Sequence, residues 1–300
     1  MIHLAIAFDN NYLLPFYALV ASIFENNTKN NFHFHCIIRN IDSKEKQEII
    51  DYIAKNQSKI NFYEVDETLI SQFVTRSHWN TSVYYKMFFP LLVKDVDRLL
   101  YLDTDMLVVG SLKALYETDL SNYPLAAVAD PHVKNEVYWE LHTREYYFNS
   151  GMMLIDVDKW NNLQVSQQAL SVLNNEPEKI IYVDQDALNI VLDNNCVLVS
   201  EKYNYTYTHI PKEKTQKELK EILQNIVILH FTISRPWLFL CKNYYRYLYG
   251  YYLKKSPKKQ EKIIIDFSYS KLFAYFRIRL TEFYLSTPFV HKIWRFIKKK

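Results

Sequence analysis

Apolar and polar positions fall into a repeating order from the first residues onward. Residues 2 to 8, I-H-L-A-I-A-F, alternate and then run apolar, the pattern of a strand entering a core, and they end at Asp9-Asn10-Asn11. Leu13 to Phe24 carries helical spacing, with Pro15 in the first turn, where its missing N–H is tolerated. Phe32 to Ile38 predicts a second strand. Asp42 and Ser43 are good N-caps for a helix over Lys44 to Lys55, whose Ile49, Ile50 and Ile53 share a face, and Ile60 to Val65 predicts a third strand. This β-α-β-α-β order calls for a parallel sheet covered by helices. Open sheets of that kind bind ligands beyond the carboxyl ends of their strands, so residues at strand ends carry the search for function.

The stretch Arg98 to Gly110, R-L-L-Y-L-D-T-D-M-L-V-V-G, holds the sharpest such end. An apolar strand stops at Asp103, and Asp105 two residues on projects to the same side. Two carboxylates there repel each other unless a divalent cation such as Mg²⁺ or Mn²⁺ lies between them, although Asp is also common where strands simply turn. Upstream, Thr81 or Ser82 can cap a helix running through Tyr85, Lys86, Phe88 and Phe89 towards Pro90. Its aromatic residues belong to the core, while Lys86 either lies on the surface or reaches bound phosphate.

Ser111 caps a short helix, Leu125 to Ala129 forms a strand ending at Asp130, and His132 to Tyr147 reads as an elaborated connection beside the site. Phe148 to Val157, F-N-S-G-M-M-L-I-D-V, puts Asn149, Ser150 and Gly151 immediately before a strand, where a lone glycine could simply serve a turn. Asp184-Gln185-Asp186 opens a helix, where acids either complement the helix dipole or hold a ligand. The last strand-like run, Ile226 to Leu229, ends at His230 and continues F-T-I-S-R-P-W. His230 becomes a ligand only if the fold brings it to Asp103 and Asp105.

Size and composition narrow these options. Three hundred residues at 49% hydrophobic content suit one large α/β domain, alone or with an appendage. With only 3 glycines, at 110, 151 and 250, neither a dinucleotide-binding glycine loop nor a P-loop exists, so a bound nucleotide must be held by other means. Cys36, Cys196 and Cys241 are odd in number and far apart, which argues against a disulfide framework or a zinc ribbon and for a reducing cytoplasm. The opening M-I-H-L-A-I-A-F-D-N has no basic leader and too short an apolar run for a signal peptide or a membrane span, so the chain is expected to start inside the fold. The patterns Asn-x-Ser/Thr at Asn26, Asn80 and Asn204 are then chance matches.

Six segments in order, A-F-D-N-N-Y, S-V-Y-Y-K-M-F-F-P, L-Y-L-D-T-D, F-N-S-G-M-M-L-I, V-D-Q-D-A-L-N and I-L-H-F-T-I-S-R-P-W, together resemble glycosyltransferase family 8 over about residues 1 to 240. These are retaining, metal-dependent nucleotide-sugar transferases that include bacterial lipopolysaccharide and lipooligosaccharide galactosyl- and glucosyltransferases. The resemblance implies an α/β GT-A fold, Rossmann-like, with a mixed, mainly parallel sheet and helices on both faces. It implies Mn²⁺ (or Mg²⁺) held by Asp103, Asp105 and His230, within a UDP-sugar site that also includes Thr104. Ala7, through its backbone, with Asp9 and Asn11 would bind uridine. Lys86 and Arg235 would lie near the diphosphate or donor sugar, and Asn149, Asp184 and Gln185 would grip sugar hydroxyls, with Asp184 and Gln185 the catalytic pair. His78 and Asp130 are acceptor candidates. Departures from the family pattern include Ile233 near a position where a glycine often approaches the phosphates, Arg235 for the usual lysine, and Leu238 for a histidine.

Residues 254–300 hold 13 Lys and Arg against Glu261, Asp266 and Glu282, a net of +10, which leaves −7 on residues 1–253 and +3 overall. Thr287-Pro288 starts a helix with Phe289, Val290, Ile293, Trp294 and Ile297 at helical spacing, and Leu272, Phe273, Phe276, Leu280, Phe283 and Tyr284 form a second stripe near Lys271, Arg277 and Arg279. Basic, aromatic helices of this kind either lie on anionic membranes, the reading favoured here, or pack on the main domain with the basic face in water, and no recognition motif accompanies the charge to suggest nucleic acid. The expected organisation is a transferase domain over 1–240 and a helical, membrane-associating extension over 241–300, peripheral on the cytoplasmic face and acting on a lipid-linked oligosaccharide. Two rivals are a haloacid-dehalogenase-type phosphatase and a non-catalytic scaffold of the same fold. The phosphatase lacks its Gly-Asp acid motif here, and the intact set Asp103, Asp105, His230 and Gln185 argues against the scaffold.

Overall fold

The computed structural model describes residues 1–65, 81–130, 133, 146–175, 180–211, 213–287 and 289–290. Strands β1 (Ile2–Asp9), β2 (Phe32–Arg39) and β3 (Lys59–Tyr63) alternate with helices α1 (Leu13–Asn26) and α2 (Ser43–Lys55). Asp42 caps α2 by accepting from the Glu45 amide, and Asp9 starts the turn into α1 by accepting from the amides of Asn11 and Tyr12. With β4 (Arg98–Leu102), β6 (Leu125–Ala129), β7 (Phe148–Asp156) and β8 (Val197–Val199) they form a seven-stranded sheet of order β3-β2-β1-β4-β7-β6-β8. β1 runs parallel to β2 and β4, while β7 runs antiparallel to both of its neighbours.

A second, three-stranded sheet joins β5 (Met106–Val108), β10 (Ile228–His230) and β9 (Tyr205–Thr206) in the order β5-β10-β9. This topology positions the site. β4 leaves the large sheet at Leu102 and re-enters the small one at Met106, so the acids at 103 and 105 span the junction between the two sheets. His230 pairs with Met106 across β5 and β10, and the start of β7 lies alongside, with the Asp103 amide donating to the Gly151 carbonyl at 2.8 Å.

Helices cover both faces of the large sheet. On one side Phe16, Tyr17, Leu19 and Ile23 of α1 pack with Ile49 and Ile53 of α2, and Tyr245, Tyr249 and Leu253 from around the helix Tyr247–Leu253 join the same core, which therefore continues past residue 240. On the other side Tyr84, Phe89, Trp160 and Leu188 close a second core. Each large apolar side chain buried this completely contributes on the order of 2 kcal/mol. All three cysteines are unpaired and buried.

Several local expectations change. The segment before Pro90 is a 3-10 helix over Thr81–Phe88 followed by a short α-helix, Phe89–Leu92, because residues 84–90 are buried in succession rather than on one face. The Thr81 and Ser82 side chains expected to cap it lie outside the described residues. Asn149, Ser150 and Gly151 stand within β7 rather than in a turn before it, and the last strand is Ile228–His230, so His230 ends the strand instead of following it. Helices at Val157–Asn162, Val165–Asn175 and Gln216–Leu223 were not anticipated. The connection 132–147 is described only at 133, 146 and 147, and the helix expected after Pro288 only at 289–290.

The C-terminal helix Leu272–Ser286 exposes Phe273, Phe276, Leu280 and Phe283, while Arg279 and Arg246 pair with Glu282 and Lys271 with Asp266. Its outward stripe is thus aromatic and aliphatic more than basic. Among the described residues no helix is long and apolar enough to cross a membrane.

Candidate active site

Asp103, Asp105 and His230 converge, with one ligand atom from each lying within 4.8 Å of the others. A chain of hydrogen bonds fixes what each presents. Asn149 donates through Nδ2 to Asp130 Oδ2 at 3.1 Å, which turns its Oδ1 to accept from the Gly151 amide at 3.0 Å and from Asn204 Nδ2 at 2.8 Å. Asn204 Oδ1 must then accept, so the Nδ1 of His230, 2.8 Å away, carries the proton. In neutral His230 the bare Nε2 faces Asp105 Oδ1 at 3.1 Å, lone pair against carboxylate. That arrangement calls for a positive charge between them, a proton or a metal ion, and the orienting amide is the outer partner that metal-bound histidines normally have.

Asp103 is prepared in the same way. Tyr101 donates to its Oδ1 at 2.6 Å and Lys86 lies 3.3 Å from that oxygen, leaving Oδ2 towards His230 at 3.9 Å. Burial lifts the Asp103 carboxyl above the ordinary carboxylate range despite Lys86. Burial also pushes on Asp105, but His230 and Arg235 outweigh it and hold that carboxyl below the range. A cation between the two would relieve both the desolvation and the mutual repulsion. Gly151 makes the approach possible: a Cβ there would meet His230 Cε1 at 2.5 Å and Asp103 Oδ2 at 2.9 Å. The residues present fit a divalent ion.

Beside this centre Lys86 is 4% exposed, and the open question of its place is answered by burial. Its ammonium contacts Asp184 at 2.8 Å as well as Asp103, and donates to the Ser150 carbonyl and hydroxyl at 3.3 Å. Burial alone would lower its pKa; the two carboxylates reverse that and keep it charged. Ser150 in turn donates its hydroxyl to Asp184 at 2.7 Å and its amide to Gln185 Oε1 at 3.2 Å. Asp186 plays a separate part. Fully buried, it accepts from the amides of Ile181 and Tyr182 and from the Tyr147 hydroxyl, and so anchors the start of the Val183–Leu192 helix.

Other expected residues border the same space. Ala7 accepts through its carbonyl from Thr104 Oγ1 at 3.3 Å, and Asp9 binds the amide and side chain of Asn11. Arg235 lies 5.6 Å over the ring of Tyr12, whose hydroxyl is pushed up to about 12 mainly by burial. Asp130 joins through Asn149, while His78 lies outside the described residues. Tyr12, Tyr101, Ser150 and Asn204 were not anticipated; only their contacts identify them. Two β-branched residues flank the cluster in the left-handed region, Val183 at φ 46° just before Asp184 and Thr232 at φ 45° two residues after His230. Such backbone costs energy and concentrates at functional sites.

A mainly parallel α/β sheet with this junction of two acids and a histidine at its strand ends is the arrangement of the GT-A fold. The solved structure of the galactosyltransferase LgtC in complex with donor and acceptor sugar analogs has the same fold, at a TM-score of 0.75 and 21% identity over 85% of this chain and 96% of that one. The chain belongs to glycosyl transferase family 8, whose pattern matches residues 3–241. It is 28% identical over 284 residues to a lipopolysaccharide 1,2-glucosyltransferase of Escherichia coli K12, covering 89% of this chain and 83% of that one. It is also 28% identical to general stress protein A of Bacillus subtilis, covering 84% and 93%.

Proposed function

We propose that this glycosyltransferase moves a hexose, galactose or glucose, from a UDP-sugar to a saccharide acceptor with retention at the anomeric carbon. The acceptor we favour is lipid-linked lipopolysaccharide or lipooligosaccharide core at the cytoplasmic face of the membrane. The observation that carries the reading is the opposed pair His230 Nε2 and Asp105 Oδ1, held at 3.1 Å by an amide that fixes the histidine tautomer. Asp103, Asp105 and His230 would hold Mn²⁺, which an imidazole among carboxylates favours over Mg²⁺. When bound, the ion neutralises the diphosphate and assists its departure as a Lewis acid.

The remaining work belongs to the chain. Ala7, Asp9, Asn11 and Thr104 shape the nucleoside end, and Arg235 supplies positive charge beside the diphosphate. Lys86, already balanced between Asp103 and Asp184, links the cation centre to the sugar-binding groups. Asp184 accepts from sugar hydroxyls, and Asn149, whose Oδ1 is engaged by Gly151 and Asn204, donates to them through its second Nδ2 hydrogen. Retention normally uses a carboxylate nucleophile on the face opposite the leaving group. Gln185 occupies that role by family resemblance, and an amide is a poor nucleophile; Asp186 is fully buried and spent on the Ile181 and Tyr182 amides. The route is therefore front-side: Gln185 stabilises an oxocarbenium-like centre while the departing diphosphate takes the proton of the acceptor hydroxyl. A covalent glycosyl adduct trapped on Gln185 or Asp186 would overturn this step.

The aromatic stripe Phe273, Phe276, Leu280 and Phe283 supports attachment to a membrane surface, where a lipid-linked acceptor is presented. The deciding experiment is release of UDP from a panel of UDP-sugars with Mn²⁺ or with EDTA, for the native chain and Asp105→Ala. Metal-dependent release from one donor, lost in the variant, supports the reading and names the sugar. No release together with no binding of UDP would sink it in favour of a scaffold.

A further inference from the structure

Six residues before Asp9 on β1, about 20 Å away at strand spacing, three histidines share one face of the sheet. His3 on β1 lies in register with His33 on β2, and His35 follows two residues later, so all three rings project to the same side. Ring centroids are 4.3 Å apart for His33 and His35, and 5.3 Å for His3 with either. One ring nitrogen from each lies within 4.8 Å of the other two.

The polar contacts of these rings are incomplete. His3 Nδ1 faces His35 Nε2 at 3.0 Å, where two nitrogens can share a single proton. His33 Nε2 is buried without a hydrogen-bond partner, an omission that costs about 1–3 kcal/mol. His35 Nδ1 is 2.9 Å from the Tyr63 hydroxyl, an outer contact that fixes the ring and leaves Nε2 for a ligand. A tetrahedral zinc ion with bonds of about 2.05 Å separates its ligands by roughly 3.3 Å, close to the 3.0 Å already present between His3 Nδ1 and His35 Nε2.

We propose that His3, His33 and His35 bind one transition-metal ion of the Zn²⁺ class, with water at the fourth position. His35 is buried while His3 and His33 are half-buried, so the ion enters from one side. Burial holds His35 at about 3 and lowers His3 too, which keeps those rings in the neutral form that ligands require. An all-nitrogen set selects Zn²⁺ over Mn²⁺ and Mg²⁺, the reverse of the preference of Asp103, Asp105 and His230. The bound ion ties β1 to β2 at the end of the sheet away from the acid pair and acts on stability rather than on transfer.

The test uses the untagged 300-residue chain, stripped with EDTA, carrying Asp105→Ala to remove competition from the other centre. Co²⁺ is titrated with visible absorption as readout, and the melting temperature is measured with and without Zn²⁺. One Co²⁺ per chain with intense tetrahedral bands, and a higher melting temperature with Zn²⁺, are expected. Adding His33→Ala or, separately, His3→Ala weakens Co²⁺ binding at least ~10-fold and removes the thermal shift. His33→Ala alone leaves UDP release at the native rate. Absence of Co²⁺ binding in the Asp105→Ala chain, or binding unchanged by both histidine variants, would overturn the proposal.

Discussion

Asn204 Oδ1 accepts from Nδ1 of His230 at 2.8 Å, and this one contact turns Nε2 towards the acids. Replacing Asn204 by Ala frees the tautomer and the ring. Mn²⁺ affinity is expected to fall about 10–100-fold with little loss of folded structure. Calorimetric titration of Mn²⁺ checks it; an unchanged affinity would mean that the amide does not orient the histidine.

Gly151 tests the closeness of the centre. A methyl group at that position lies 2.5 Å from His230 Cε1, well inside contact distance. Gly151→Ala is predicted to push the imidazole away from Asp103 and lower UDP release at least ~10-fold. The change should register in steady-state rates while the far-ultraviolet spectrum stays native.

Lys86 sits between Asp103 and Asp184 at 3.3 and 2.8 Å and is almost fully buried. Lys86→Met removes the ammonium from the buried Asp184 and the half-buried Asp103, and stability is expected to drop by about 3 kcal/mol. Urea unfolding measures this directly. Added Mn²⁺ should recover part of the loss, since a cation then replaces the missing charge near Asp103.

Thr232 combines a φ of 45° with a hydroxyl that is buried and lacks a partner. The left-handed conformation costs an L-residue about 1–2 kcal/mol, and the entropy of a glycine offsets only part of that gain. Thr232→Gly should therefore raise the unfolding free energy by roughly 0.5–1 kcal/mol. A lower value would show that the threonine is held without strain.

Phe276 and Leu280 are 65% and 69% exposed on the C-terminal helix. Changing both to Ser is predicted to reduce sedimentation with anionic vesicles at least ~10-fold without altering UDP release in solution. Equal sedimentation of native and variant chains would remove this helix from the membrane reading.

Much of this was legible in the chain itself, and the reason lies in how local each signal is. The strands closed by Asp9, Asp103 and Asp130 are apolar runs of clear length, the first including its aspartate and the other two ending one residue before theirs, and α2 carries both its cap at Asp42 and a regular Ile49–Ile53 spacing. Lys86 was ambiguous because helical spacing assumes one buried face, whereas its neighbours from Tyr84 to Phe88 are all buried within a 3-10 helix. Asn204 stood out only as a chance Asn-x-Thr, since its role depends on β9 pairing with β10 across 26 residues of sequence. Gly151 reads as a turn in isolation; its need for a bare Cα arises only when β7, β4 and β10 meet. The left-handed residue near the Ile233 departure proved to be Thr232, one position away from where the family pattern pointed.

Direct observation of Mn²⁺ by electron paramagnetic resonance, with and without UDP, tests the cation centre most plainly. One Mn²⁺ per chain, bound more tightly with UDP and lost in Asp105→Ala, is the predicted result. Tight UDP binding with no Mn²⁺ at the site, and sugar transfer unaffected by EDTA, would contradict it.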